Sequence, residues 1–201
     1  LSKHREYLMG KHGYNDAEVE AHWTKLREFQ TLYLEKNRAA TVAYAKELGA
    51  ILASHDDTTP EDVFESVKLG ISIAEFPTTY EAAEACRAKK QFIVMGAPNI
   101  VRGGSHSGNV AAQELAAAGL LGILSSDYVP AALLNAAVCL GIFLEDIAAG
   151  IRTVTACPAD AAGLDDRGRI EPKKRADFVR FSIHSGLPVI QSVWSQGQRI
   201  A

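Results

Sequence analysis

The stretch Ile-Ser-Ile-Ala-Glu-Phe-Pro-Thr-Thr-Tyr-Glu, residues 71–81, contains the pattern that decides the fold. A short apolar run over residues 71–76 leads into a polar turn, and Thr78 stands three residues before Glu81, as at the start of a helix. Short apolar strands that alternate with helical segments are typical of parallel βα units. The sequence therefore predicts an α/β fold, and the other strand-like runs lie at 48–53, 91–95 and 120–124.

The two ends of the chain depart from this alternation. Residues 1–47 are charged, with apolar residues at helical spacing, and Asn15 with Glu18 forms a capping pair. This part predicts a long surface helix that packs one face on a core. Near the C-terminus, two strand-like segments are separated by the break at residues 185–188, which predicts a small β appendage.

Composition and charge exclude several classes of protein. The 201 residues carry 21 Lys and Arg against 24 Asp and Glu, and no stretch collects the basic cluster that nucleic-acid binding requires. The three cysteines stand singly, which is typical of a reducing compartment. The longest apolar run is too short for a bilayer, and no secretory signal opens the chain. We therefore expect a cytoplasmic protein that binds neither nucleic acid nor membrane.

Polar side chains follow each of the strand-like runs. The carboxyl ends of parallel strands meet at one side of a sheet, where α/β proteins build their sites. Imidazole and carboxylate groups are ligands for zinc and related ions, although residues at strand ends can instead cap the next helix, the role expected of Asp56 or Asp57. The residues that could converge on one substrate or metal ion are His55, Glu75, Asn99 and Asp127.

The loop after the third run is the most distinctive stretch of the sequence, Asn-Ile-Val-Arg-Gly-Gly-Ser-His-Ser-Gly-Asn at residues 99–109. Glycine lets backbone N–H groups approach an anion, arginine supplies a fork that fits phosphate oxygens, and a helix beginning near Asn109 would add its positive end. His106 could also act as acid or base there. A flexible surface loop is the alternative. The expected anion site comprises Asn99, Arg102, Gly103, Gly104, Ser105, His106, Ser107 and Asn109.

Two sets of segments resemble a known family. The C-terminal part resembles the closing signature of the amidohydrolase superfamily in residues 155–159, 163–164, 166–170, 172 and 175–179. The central part is similar to the PhnM-type branch of that superfamily, the alpha-D-ribose 1-methylphosphonate 5-triphosphate diphosphatases of the carbon–phosphorus lyase pathway. The matching residues are 53–57, 74–77, 95–99, 102–109 and 125–130.

The resemblance implies the C-terminal half of a TIM-like (β/α)8 barrel, with the four runs as barrel strands 5–8. It implies hydrolysis of a phosphorylated ribose phosphonate to the 5-phosphate and pyrophosphate with a divalent metal, which we expect to be zinc. His55 matches a metal ligand, and Asp127 matches the residue that binds metal and takes a proton from the attacking water. Glu75 stands where many relatives have a histidine ligand. We expect the partial barrel with its leading helical segment over residues 1–163, and a small β segment of the composite amidohydrolase β domain over residues 164–201.

Two other functions remain open at this point. An amidohydrolase that acts on a C–N bond, such as a deacetylase or cyclic amidase, would use the same chemistry, and a non-catalytic fragment could bind anions alone. A complete (β/α)8 barrel takes about 250 residues, so we expect the missing N-terminal half, or a second copy in a homo-oligomer, to pair with the open sheet edges.

Overall fold

The computed structural model describes residues 2–105 and 108–201, and the chain divides into two compact units, residues 1–50 and 51–201. The first unit is helical, with α1 at Ser2–His12 and α2 at Asp16–Leu48, so the single leading helix that the sequence predicted is wrong. The break follows from Asn15, which caps α2 and forms the predicted capping box with Glu18. Most apolar side chains of α2 are exposed, and its buried residues are Val19, Trp23 and Ala45.

The second unit begins with a parallel sheet in the order β1-β2-β3-β4. The prediction of four parallel βα strands is confirmed, but the first strand starts only at Ala53 because α2 extends to Leu48. The strands are β1 Ala53–His55, β2 Ile73–Glu75, β3 Phe92–Gly96 and β4 Ile123–Ser125. The helices are α3 Pro60–Lys68, α4 Tyr80–Ala88, α5 Ala97–Arg102, α6 Ala112–Ala117, α7 Ala132–Phe143, α8 Ile147–Arg152 and α9 Ala156–Ala161.

Threonines cap the helices that follow β1 and β2. Thr59 caps α3 and forms a capping box with Asp62, and Thr79 caps α4, so each cap lies one residue later than predicted. Hydrogen bonds from the backbone and side chain of Thr59 and from the Thr58 backbone lower the pKa of Asp62. These caps fix the point at which each loop from the sheet turns into its helix.

The two faces of the parallel sheet have different neighbours. One face packs on the helices through Ala74, Ile93, Met95 and Leu124 in a single buried core. Burial raises the pKa of the Cys86 thiol in this core to about 12, so it remains protonated, as expected of a core cysteine. Register across the parallel strands places His55, Glu75, Val94 and Ile123 side by side on the opposite face.

The chain ends in an antiparallel sheet of β5 Phe178–His184, β6 Leu187–Ser195 and β7 Gln198–Arg199. The expected pair of strands is confirmed, and β7 adds a third. Ser185 and Gly186 both have positive φ, as a two-residue hairpin turn requires, so the predicted break is confined to them. The domain boundary at residue 163 stays a prediction. None of the described helices has the length and apolar composition that a membrane span needs.

Candidate functional site

A cleft of about 310 Å³ lies at the carboxyl ends of the parallel strands. It joins residues separated by up to 73 positions in the chain, from His55 to Tyr128. The sheet topology accounts for this, because parallel strands present all their carboxyl ends at one edge. The predicted site residues that line the cleft are His55, Asn99, Arg102, Gly104, Ser105, Asn109 and Asp127.

His55 is the last residue of β1, and its ring has two neighbours. Its Nδ1 atom lies 3.1 Å from Oδ2 of Asp56, and the edge of its ring meets Phe76, with 5.3 Å between ring centroids and an interplanar angle of 88°. The side chains of His55 and Asp56 are both 58% exposed, so they remain open to the cleft. The imidazole of His55 is therefore accessible from the cleft although two side chains contact its ring.

Strained backbone accompanies this arrangement. Asp56, Phe76 and Asp127 have φ values of 62°, 56° and 50°, in the left-handed region that costs a non-glycine residue about 1 kcal/mol. Two of them continue the strand ladder: the N–H of Asp56 donates to the carbonyl of Glu75 (3.0 Å), and that of Phe76 donates to Val94 (2.9 Å). Strain of this kind clusters at functional sites, where the surrounding structure maintains it.

Asp127 lies two residues beyond the end of β4, against Gly96 at the end of β3. A Cβ atom on Gly96 would stand 2.8 Å from Oδ2 of Asp127, closer than real Cβ contacts come. Gly96 has φ −73°, so space and not backbone conformation requires glycine there. The missing side chain of Gly96 leaves the room that the Asp127 carboxylate occupies.

The segment predicted as a loop, residues 99–109, begins inside a helix. Asn99 and Arg102 belong to α5, and Nη1 of Arg102 donates to the hydroxyl of Tyr128 (3.3 Å). Oδ1 of Asn99 accepts from the N–H of Ala112 (3.0 Å), which makes Asn99 a structural clamp on the start of α6. The expectation that a helix begins near Asn109 is wrong, because α6 begins at Ala112.

The structure does not bring every predicted residue to the cleft. Among the described residues, Glu75 lies beside His55 in the strand register and Gly103 forms the left-handed end of α5, but neither lines the cleft. His106 and Ser107 lie outside the described residues. Within residues 2–105 and 108–201, no three His, Cys, Asp or Glu side chains form a group that could hold a metal ion. The metal and site assignments therefore stay predictions.

Asp57 has a structural role that the sequence did not indicate. Its buried carboxylate accepts from the hydroxyls of Ser54 (2.6 Å) and Ser66 (3.4 Å), and so ties β1 to α3. The expectation that Asp56 or Asp57 caps the following helix is wrong, because Thr59 is the cap and Asp56 contacts His55.

Several residues that line the cleft were not predicted as site residues, among them Asp56, Phe76, Gly96 and Tyr128. Each is adjacent to a predicted site residue in the chain or in the folded cleft. The available signal was their position at or shortly after the ends of the strands. The contacts themselves depend on backbone angles and neighbouring strands, which one sequence does not reveal.

The chain is similar in sequence to a curated enzyme. It is 46% identical over 201 residues to "Alpha-D-ribose 1-methylphosphonate 5-triphosphate diphosphatase" of Escherichia coli (strain K12), an alignment that covers 98% of this chain and 53% of the enzyme. The chain thus spans about half the length of that relative. No protein-family model matches.

A solved structure shows the same fold. The crystal structure of an uncharacterized protein superposes with a TM-score of 0.62 at 16% identity, over 81% of this chain and 48% of that one. At this level of identity the likeness concerns the fold alone. It supports the α/β architecture of a parallel sheet followed by an antiparallel sheet.

Proposed function

Because this chain belongs to the same family as the Escherichia coli diphosphatase, we propose that it is part of a metal-dependent hydrolase of phosphonate catabolism. The reaction is the hydrolysis of alpha-D-ribose 1-methylphosphonate 5-triphosphate to the 5-phosphate and pyrophosphate. The observation that carries the proposal is the cleft, which His55 and Asp127 line together with Arg102, Gly104, Ser105 and Asn109. A carboxylate and an imidazole in one cleft with a guanidinium are groups that phosphoanhydride hydrolysis needs.

The parallel sheet is proposed as half of a (β/α)8 barrel. Its edge strands are β1 and β4, and one of its faces packs on the main helical core. On the other face Val94 and Ile123 are buried with Ala161 of α9. Phe92, in line with Val94, is nevertheless 37% exposed, although the interior of a barrel is filled with packed side chains. Further strands would bury the exposed part of this face and satisfy both edges. They would come from the rest of a longer protein or from a second copy.

The donor types in the cleft fit a divalent metal ion, but their number is too small. His55 offers an imidazole nitrogen and Asp127 a carboxylate oxygen, whereas catalytic zinc takes three protein ligands. His55 and Asp127 would therefore hold the ion together with ligands from outside the described residues. When bound, the metal polarises a phosphoryl oxygen and makes water a better nucleophile.

Residues of this chain would carry out the remaining steps, which are proton transfer and binding of the anionic substrate. The carboxylate of Asp127 would take the proton of the attacking water, in the position that Gly96 leaves open. The guanidinium of Arg102 and the side-chain amide of Asn109 would bind the oxygens of the departing pyrophosphate. Such local positive charge is required because the protein has a net charge of −3 and the substrate is highly anionic.

The test is a ³¹P NMR assay of the intact protein with substrate and a divalent metal. Equal amounts of pyrophosphate and 5-phosphate would support the proposal. Release of ammonia or acetate from cyclic amides or N-acetyl compounds, without pyrophosphate, would support the C–N hydrolase alternative. Pyrophosphate binding without turnover of either class would indicate an anion-binding module and contradict the proposal.

A further inference from the structure

The guanidinium of Arg102 lies in the cleft without a carboxylate partner. Arg102 is the last residue of α5, it is exposed, and it lines the cleft. Within residues 2–105 and 108–201 its guanidinium makes no ion pair, and its hydrogen bond runs from Nη1 to the hydroxyl of Tyr128 (3.3 Å). The partner of this cation is therefore a neutral oxygen, which leaves its positive charge for an anion.

An arginine side chain needs a restraint if it is to meet an anion in one geometry. The helix fixes only the backbone of Arg102, where Gly103 ends α5 and its N–H donates to the carbonyls of Asn99 and Ile100. The long side chain beyond that backbone keeps much rotamer freedom, which binding of a ligand would have to remove. The hydroxyl of Tyr128 limits this freedom before a ligand arrives.

A turn after β4 fixes the position of Tyr128. The N–H of Val129 donates to the carbonyl of Ser126 (3.1 Å), so residues 126–129 form a β-turn with Asp127 and Tyr128 as its central residues. The N–H of Ala132 donates in turn to the carbonyl of Val129 (2.9 Å), which joins the turn to the start of α7. Tyrosine has only two side-chain torsions, so its hydroxyl is held more firmly than a guanidinium.

The same turn carries two of the groups that line the cleft. Asp127, the proposed base, lies against Gly96 at the end of β3, and Tyr128, the next residue, contacts Arg102 at the end of α5. A shift of this turn would therefore move the carboxylate of Asp127 and the guanidinium of Arg102 together.

We propose that Tyr128 is a positioning residue for Arg102. Its hydroxyl accepts an N–H of Nη1 and so sets the plane of the guanidinium, while Nε and Nη2 keep their N–H groups for two oxygens of a phosphate. The proposal deepens the proposed function and rests on it for the identity of the anion, which is the pyrophosphate part of the substrate.

Pyrophosphate alone is the probe, and isothermal titration calorimetry measures its affinity for the intact protein without added metal. Tyr128→Phe removes the hydroxyl and keeps the ring, so Arg102 loses its restraint and the dissociation constant should rise about two- to tenfold. Tyr44→Phe removes an exposed tyrosine hydroxyl from α2 and is the matched control, which should bind as wild type does.

A double-mutant cycle separates positioning from a direct contact with the anion. In an Arg102→Ala background, Tyr128→Phe should change the dissociation constant less than about twofold, because the guanidinium that the hydroxyl orients is gone. An equal loss of affinity in both backgrounds would mean that the hydroxyl acts on the anion or on the fold, and it would overturn the positioning role. An unchanged affinity of the Tyr128→Phe single variant, or a wild type that does not bind pyrophosphate, would overturn it too.

The results separate this inference from the proposed function. Non-additive losses of pyrophosphate affinity, without release of pyrophosphate from the triphosphate, would support the positioning role and overturn the proposed hydrolysis. Turnover of the triphosphate with additive losses of affinity would overturn the positioning role and leave the hydrolysis supported.

Discussion

The two sides of the cleft are built in different ways. On the strand-end side, His55 ends β1 and Asp127 follows β4. Asp56, Phe76 and Gly96 line the cleft with them. On the loop side, Arg102 ends the six-residue helix α5, and Ser105 and Asn109 follow in the loop, joined by a hydrogen bond from the Asn109 N–H to the Ser105 hydroxyl (3.3 Å). In the proposed mechanism, proton transfer and metal binding therefore rest on strand ends that the sheet fixes, and anion binding rests on a helix end and the loop after it.

The largest expected effect is on the strand-end side. Asp127→Asn removes the proposed base but keeps the size of the side chain, so turnover of the triphosphate by the intact protein should fall about 10²- to 10⁴-fold. The initial rate of pyrophosphate release measures it, and the melting temperature is the control for folding. An unchanged rate would show that Asp127 is not the base.

The carboxylate of Asp127 needs the space that Gly96 leaves beside it. Gly96→Ala places a Cβ atom 2.8 Å from Oδ2 of Asp127, so the carboxylate must move and the kcat should fall about 10- to 100-fold. Gly122→Ala is the matched control, because its Cβ would make only ordinary contact with Ile93 at 3.6 Å. Equal kcat values for the two variants would show that the position of Asp127 does not matter.

On the loop side the effect should fall on binding. Arg102→Ala should raise the KM of the triphosphate about tenfold or more, with a smaller change in kcat, because a charge-assisted hydrogen bond to phosphate is lost. Arg102→Lys keeps the charge but not the fork and should lie between. Steady-state kinetics separate the two constants. A loss confined to kcat would place Arg102 with the strand-end group and erase the proposed difference between the sides.

The smallest effect concerns the support of the strand-end side. Asp62 completes the cap of α3, the helix after β1, and hydrogen bonds from Thr59 and Thr58 lower the pKa of Asp62 from its ordinary 3.8. A lowered folded-state pKa stabilises the fold above the ordinary value and is lost as the pH falls through the lowered one. Asp62→Asn should therefore lower the melting temperature slightly at neutral pH and converge with wild type in acid. A difference that persists unchanged in strong acid would contradict this origin.

The sequence predicted several residues that line the cleft, but not the backbone conformations and contacts that position them. The apolar runs and the polar residues after them located His55 and Asp127, and the unusual loop located Arg102, because these signals are local. The left-handed backbone of Phe76 and the clearance at Gly96 were not predictable, since both depend on strands that meet only in the folded sheet. For the same reason Glu75, a polar residue that ends β2 as His55 ends β1, could not be separated from the residues that line the cleft.

In the proposed mechanism, both sides of the cleft act on one substrate. A crystal structure of the intact protein with pyrophosphate and zinc tests this most directly. We expect pyrophosphate on Arg102 and Asn109, with zinc bound to the imidazole of His55 and the carboxylate of Asp127. Pyrophosphate bound elsewhere, or zinc without His55 among its ligands, would contradict the proposed mechanism.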